Sequence, residues 1–291
     1  MFGMYKYILL CILTTACFAE DQLIFLFQKQ KDPALIKDVA DKLASELSRG
    51  IGVSVRAQIP LDYSAALQAI RHGTADVAYL DSISFLLAEE SSEILLAEER
   101  ADAEGKYRTE YDSLFLVRKE SPLKSMEDLK AKAKDLTIVY TSPTSTSGYI
   151  FPLMRFAKEG IDKNSFKRVA FGGSYAQAIE RVASGLGDVA CVSSYAFEGT
   201  KPHVAKETAD KLRVLARTPG VPTHIIVARK SLSPELKSKI KETLLKLSAE
   251  HSDLFLDVYG AARFKEVDPQ QHVSASREAI RLSGVPIPGQ K

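Results

Sequence analysis

Residues 141–152 read T-S-P-T-S-T-S-G-Y-I-F-P and concentrate hydroxyl groups as no other stretch of the chain does. Thr141, Ser142, Thr144, Ser145, Thr146 and Ser147 lie between an apolar, strand-like run at 136–140 and a helix-like run at 149–158, with Gly148 closing the loop. A hydroxyl-rich loop at a helix start offers free backbone N–H groups, O–H donors and the positive end of the helix dipole. Together they suit a tetrahedral oxyanion. The same residues also suit an ordinary N-cap followed by loop filler. Pro152 has no N–H and belongs in a first helical turn. Regular helix is therefore expected from Gly148 or Tyr149, leaving Ser145, Thr146 and Ser147 just outside it and facing a ligand.

Other reactive side chains form no catalytic pattern. The five histidines, His72, His203, His224, His251 and His272, are scattered without metal-ligand spacing. There is no nucleophile elbow and no phosphate-binding P-loop. Cys191 sits in the apolar run 189–192 and reads as a buried small residue. Neither catalytic residue, metal nor cofactor is expected, and the chain is not read as an enzyme.

The elements that would position these groups alternate. Strands are expected at 22–27, 53–59, 77–80, 113–118 and 136–140. Helices are expected at 33–47, 63–71, 83–88, 126–132 and from Pro234 to about Ala249. Such alternation predicts α/β layers with largely parallel sheets.

One unit occurs twice. Residues 63–78 align without gaps on residues 175–190: Tyr63 with Tyr175, Ala66 with Ala178, Leu67 with Ile179, Ile70 with Val182, Gly73 with Gly185 and Asp76 with Asp188. Ser82 falls opposite Ser194. The apolar positions share a helical face, each Gly can stop a helix, and each Asp-Val-Ala opens a buried strand. Two copies make either two lobes or two halves of one doubly wound sheet. Both tyrosines start helices, at the sheet edge where open α/β folds bind ligands. A half-buried packing role is the alternative.

The N-terminus is a targeting segment. Lys6 precedes an apolar stretch at 7–18, too short to span a bilayer, and Cys17-Phe-Ala19 suits signal-peptide cleavage after Ala19. Thr14-Thr-Ala-Cys17 also loosely fits a lipoprotein box, with Cys17 as the lipidated residue. The protein is expected in the periplasm. A net charge of +2 argues against a nucleic-acid partner.

The motifs together resemble the periplasmic phosphonate- and phosphite-binding proteins of ABC transporters. The matching stretches are 62–79, 110–123, 145–152 (S-T-S-G-Y-I-F-P) and 217–232, of which S-T-S-G-x-x-x-P is the most specific. The resemblance implies a type II, two-lobed periplasmic-binding-protein fold in the α/β class. Each lobe would be a mixed sheet flanked by helices, joined by a two-strand hinge near 113–118 and 225–229. Residues 1–19 would be the signal peptide, 20–118 plus 223–291 the first lobe, and 119–222 the second. The resemblance implies that Ser145, Thr146 and Ser147 grip the phosphoryl oxygens, with Tyr63 and Tyr111 approaching from across the cleft. Aminoalkylphosphonate binders carry a His where this chain has Tyr175, and two acids where it has Tyr195 and His224. Neither replacement is anionic, so an ammonium-bearing ligand is disfavoured. Asp81, beside Ser82, is a substitute acid or a helix cap.

The leading expectation is a monomeric solute-binding protein that carries phosphite, phosphate or a small alkylphosphonate to an ABC permease in the inner membrane. The alternatives are the same fold with another small anion or a vitamin precursor, and a sensor subunit that presents its ligand.

Overall fold

The computed structural model describes residues 22–27, 33–60, 63–102, 105–199, 202–261 and 263–286; the expected leader lies outside them. The chain opens with β1 (Leu23–Leu26), α1 (Pro33–Ile51), β2 (Val55–Gln58), α2 (Tyr63–Arg71), β3 (Val77–Leu80), α3 (Ser82–Ala88), β4 (Ser92–Ala101) and β5 (Tyr107–Arg108). It continues with β6 (Glu110–Arg118), α4 (Met126–Lys132), β7 (Thr137–Tyr140), a π-helical turn at Thr146–Ile150, α5 (Phe151–Glu159), β8 (Arg168–Phe171), α6 (Tyr175–Ala183), β9 (Val189–Ser193), α7 (Ser194–Phe197), α8 (Lys206–Ala209) and β10 (Leu212–Pro222). It ends with β11 (Ile225–Arg229), α9 (Pro234–Glu250), α10 (Ser252–Tyr259), β12 (Arg263–Lys265) and α11 (Pro269–Ser283).

The strands form two mixed sheets. The first runs β12-β4-β11-β3-β1-β2, with β5 paired to β4. The second runs β10-β6-β9-β7-β8. In each, the first three strands of a parallel layer (β2-β1-β3 and β8-β7-β9) meet one antiparallel strand, β11 or β6. The duplicated sequence unit is the structural reason. Asp76 Oδ2 accepts the N–H of Ile24 on β1 at 2.8 Å, and Asp188 Oδ2 accepts that of Thr137 on β7 at 2.7 Å. Each aspartate also pairs with the arginine that ends the antiparallel strand, Arg229 for Asp76 and Arg118 for Asp188. Gly73 and Gly185 take φ of 69° and 79°, a left-handed turn that suits glycine and releases the chain from helix into strand.

Side chains alternate across these strands, as period-two geometry requires. On β1 and just beyond it, Leu23, Phe25 and Phe27 join the core formed with α1 and α9, whereas Leu26 faces the core formed with α2 and α3. On β9, Val189 and Cys191 face one layer and Ala190 and Val192 the other. Cys191 is the buried core residue expected, and burial pushes its thiol well above the usual range.

The chain passes between sheets at Thr109, from β5 to β6, and at Thr223–His224, from β10 to β11. The two crossings are tied together: Thr223 N donates to Thr109 O at 3.0 Å. The strands expected to be the hinge, at 113–118 and 225–229, instead lie inside the two sheets, because their apolar side chains are fully buried there. Sheet membership thus changes ahead of the boundary drawn at residue 118. Helix α11 returns to lie against α5, and its Lys158–Glu278 ion pair and the Lys163 bonds to the carbonyls of Ser283 and Gly284 fasten it there.

Candidate functional site

Four helix starts converge where the two sheets face each other. Strand β7 delivers Thr141 into the hydroxyl loop, and Thr141 Oγ1 anchors that loop to the Cys191 carbonyl of β9 at 3.1 Å. Ser145 then caps the π-helical turn, its Oγ accepting the Gly148 N–H at 3.1 Å. The turn is wide because Ile150 N reaches back to Ser145 O. Only glycine fits at 148, since a Cβ there would stand 2.2 Å from Thr141 Oγ1. Helical geometry therefore starts at Thr146, earlier than the Gly148–Tyr149 start read from the sequence. Thr146 and Ser147 belong to the turn, and Pro152 occupies the first turn of α5 as expected.

The buried hydroxyls of this turn are linked to both sides of the site. Ser147 Oγ lies 2.9 Å from the Tyr175 hydroxyl and 3.5 Å from that of Tyr111. The Ser147 carbonyl accepts from Ser113 Oγ at 2.6 Å. From the first-sheet side, Asp81 Oδ1 accepts from Thr146 Oγ1 at 3.0 Å, and Ser82 Oγ lies 3.5 Å from the same oxygen. Ser276 of α11 holds Ser82 at 2.7 Å. The Tyr111 phenol is pushed well above its usual range, first by burial and then by Tyr175, so it stays a donor.

Beyond the tyrosines stands a buried charged wall. The guanidinium of Arg100 lies 3.9 Å over the ring of Tyr195, reaching from β4 to α7. Glu98 binds Arg100 Nε at 2.5 Å, accepts from Tyr79, and has His224 Nδ1 at 3.5 Å. Burial alone would raise the Glu98 carboxyl, but the Arg100 charge, with His224 beside it, outweighs burial and holds the group at about 2. Arg100 also donates to Glu98 Oε2 at 3.3 Å and to the carbonyls of Tyr259 and Gly260 at 2.8 and 2.9 Å. The Tyr195 ring makes edge contacts with Tyr111, Tyr175 and His224. A cavity of about 860 Å³ opens beside Tyr111, Tyr195 and Arg100, bounded outward by Asp112, Glu198 and Arg217.

The sequence model of the family described as ABC transporter, phosphonate, periplasmic substrate-binding protein matches residues 25–272. The chain belongs to this family. The phosphonates-binding periplasmic protein of Escherichia coli (strain K12) is 33% identical over 196 residues, which span 67% of this chain and 57% of that protein. A probable ABC transporter phosphite binding protein, PhnD1, of Prochlorococcus marinus (strain MIT 9301) is 28% identical over 86% of this chain and 87% of its own length. Among solved structures, a binding protein component of an ABC phosphonate transporter from Pseudomonas aeruginosa superposes with a TM-score of 0.76 at 27% identity, covering 90% of this chain and 86% of that chain. The P. marinus PhnD1 in complex with methylphosphonate has the same fold, with a TM-score of 0.76 at 22% identity over 91% of this chain and 99% of that chain. The architecture is the type II periplasmic-binding-protein fold.

Within this phosphonate-family fold, the residues singled out by sequence are not equivalent. Asp81 and Ser82 bond to Thr146, Tyr111 and Tyr175 bond to the next residue, Ser147, and Tyr195 and His224 adjoin the second group through ring contacts. Ser145 acts as the cap, its oxygen turned back to the backbone. Tyr111 comes from β6, on the same side as Ser147, so the contacts from across the site are those of Asp81 and Ser82. Tyr63 opens α2, the counterpart of Tyr175 opening α6, and its side chain lies outside the described residues. Sequence reasoning missed Glu98, Arg100, Ser113 and Ser276. The first two carried one available signal, an i, i+2 acid–base pair that a strand would place on one face.

Proposed function

We propose that this chain captures a phosphorus oxyanion, either phosphite, phosphate or a small alkylphosphonate, between its two sheets and delivers it to an ABC permease in the inner membrane. One observation carries the reading: the Ser147, Tyr111 and Tyr175 hydroxyls meet at the start of a helical turn, and among the described residues no Lys or Arg is bonded to them. Neutral O–H and N–H donors in a dry site hold an anion through charge-assisted hydrogen bonds. The lobes that close on the ligand are the two that carry these sheets, changing over near Thr109 and Thr223 rather than at residue 118, with α11 bridging them. Residues 1–19 direct export, with Cys17 as the alternative lipidation point, and the intact mass of the mature protein distinguishes the two. The delivered form is a monomer that binds no nucleic acid.

Calorimetric titration with phosphite, phosphate and methylphosphonate tests the proposal, with heat expected from at least one of them. The Ser147→Ala/Tyr175→Phe variant should lose roughly tenfold or more in affinity while keeping its thermal midpoint close to wild type. Silence from all three oxyanions overturns the reading. The Tyr195 ring and the adjoining cavity favour a second reading, a small anion bearing a flat or apolar substituent, such as a vitamin precursor. Binding from a broader ligand panel but not from the phosphorus series would select it.

A further inference from the structure

Among the contacts that join the two sides of the site, one is a stack rather than a hydrogen bond. Arg100 belongs to β4 of the first sheet, and Tyr195 to α7, which directly follows β9 of the second. The guanidinium carbon of Arg100 lies 3.9 Å from the centre of the Tyr195 ring, and both residues are buried. In its own plane Arg100 donates only toward the first sheet. It bonds Glu98 through Nε and Nη2 at 2.5 and 3.3 Å, and the carbonyls of Tyr259 and Gly260 at 2.8 and 2.9 Å. Tyr259 itself packs in the core of that sheet. The Tyr195 ring is carried by the other sheet. Its neighbour Ser194 accepts the Asp112 N–H of β6 at 3.1 Å, and the ring stands edge-on to Tyr111 and Tyr175 at 4.9 and 5.8 Å. His203 meets it from the same side at 5.8 Å, and His224, at the crossing into β11, at 6.3 Å.

This arrangement suits a contact that is made and broken. An ion pair shared between two moving lobes would strand two charges each time they part. Here Glu98 stays on Arg100 whether or not Tyr195 is in place, so the charge is balanced within one lobe. Parting uncovers only the face of a guanidinium, which is weakly hydrated, and one face of a phenol. In a buried setting such a contact lies at the strong end of the cation–π range. The ring it holds also buttresses Tyr111 and Tyr175, whose hydroxyls bond Ser147. We infer that Arg100 is a positioning residue for ligand capture: without touching the anion, it holds the lobes closed over it by stacking on Tyr195. This rests on the phosphorus-oxyanion reading above and adds the contact that sets how long the ligand stays.

Affinity is measured by calorimetry and dissociation by phosphorus NMR exchange, on wild type, Tyr195→Leu and Tyr195→Phe, with thermal melts alongside. Leu keeps an apolar side chain and loses the π face, whereas Phe keeps that face. Tyr195→Leu should weaken methylphosphonate binding about tenfold, nearly all of it as faster dissociation, because the ligand enters before the lobes close. The factor should be the same for each phosphorus oxyanion that wild type binds. Tyr195→Phe should recover the affinity to within about twofold. The double replacement Glu98→Gln/Arg100→Met removes both charges together. It should lose the same factor as Tyr195→Leu, and adding Tyr195→Leu to it should cost nothing more. Where that background does not fold, the Leu and Phe variants decide alone.

A purely structural Tyr195 would lower the melting midpoint of Tyr195→Leu and leave affinity and dissociation of the folded protein at wild-type values, which overturns the inference. Slower association with unchanged dissociation overturns it as well. Equal losses in Leu and Phe assign the effect to the hydroxyl, and a loss that differs between phosphite and methylphosphonate assigns it to a ligand contact. Each of these overturns the inference and leaves the ligand reading standing. Silence from every phosphorus oxyanion in wild type removes the ligand reading and this inference together.

Discussion

Glu98 and Arg100 lie two residues apart on β4, so strand geometry puts both side chains on one face. Both are buried, which makes each the other's required partner. Replacing Glu98 with Gln leaves the guanidinium buried without its counter-charge and should cost about 3–5 kcal/mol, read from chemical denaturation at neutral pH. The pH dependence follows from the sign of the shift. The folded carboxyl, at about 2, lies below its unfolded value, so the folded state is favoured above the ordinary carboxylate range. That contribution is lost as pH falls from there toward about 2. The denaturation midpoint should drop over this window, and Glu98→Gln should remove that part of the drop. Neither residue was legible as a site residue. A run of E-E-R reads as a solvated edge until β11 and β12 flank β4 and seal it. Thr146, Ser147 and Tyr175 were legible as candidates because hydroxyls at a helix start have a limited set of uses. Ser145 looked the same in sequence and proved to be the cap, a distinction set by one backbone bond. Its replacement by Ala should therefore act on stability, by about 1 kcal/mol in denaturant titration, rather than directly on ligand contacts.

Among the elements, those with strong periodicity were readable to the residue: α2, β3 and α4 fall where the apolar pattern places them. The π-helical turn was not, because an i to i+5 bond leaves no trace in a five-residue sequence pattern. Its geometry depends on Gly148. A methyl group there would meet Thr141 Oγ1 at 2.2 Å, Thr141 Cβ at 2.5 Å and Ser145 Oγ at 2.8 Å, all on the loop the turn is built from. Gly148→Ala should cost about 1–3 kcal/mol by forcing that loop apart, and it should abolish measurable ligand heat even where the variant remains folded. Calorimetry beside a thermal melt checks both halves. If binding were untouched, the donors would not depend on this turn. Strand β4 and helix α11 escaped the sequence reading for the opposite reason. About half of their buried positions, among them Ser92, Glu98, Ser276 and Ser283, are polar, and periodicity arguments count apolar residues.

At the scale of the molecule, the duplicated Tyr-to-Ala unit left two lobes or one doubly wound sheet open; two similar sheets form, and the Asp76–Arg229 and Asp188–Arg118 pairs show how far their likeness extends. The connections between the sheets were less readable, since a crossing is a property of where strands pair and not of the strand's own composition. Thr223 is the residue on which the crossings depend: its hydroxyl lies 2.7 Å from the Glu98 carbonyl and 3.1 Å from that of Thr109, and its N–H bonds the latter. Val keeps the shape and removes the O–H, so Thr223→Val should cost about 1 kcal/mol. It should also loosen the relative setting of the sheets while leaving every ligand-facing hydroxyl in place. A ligand held between the start of α3 and Ser147 would span the two sheets, so saturating methylphosphonate should reduce the radius of gyration in solution scattering. At about one hundred times Kd it should also add about 2.7 kcal/mol of stability. In Thr223→Val the free protein should scatter as a more open particle than wild type, with the bound form unchanged and the affinity modestly reduced. Ser147→Ala/Tyr175→Phe should show the reverse, a wild-type free particle that ligand no longer compacts. Identical scattering of both variants in both states would mean that the two sheets form one rigid body and that binding does not require them to move.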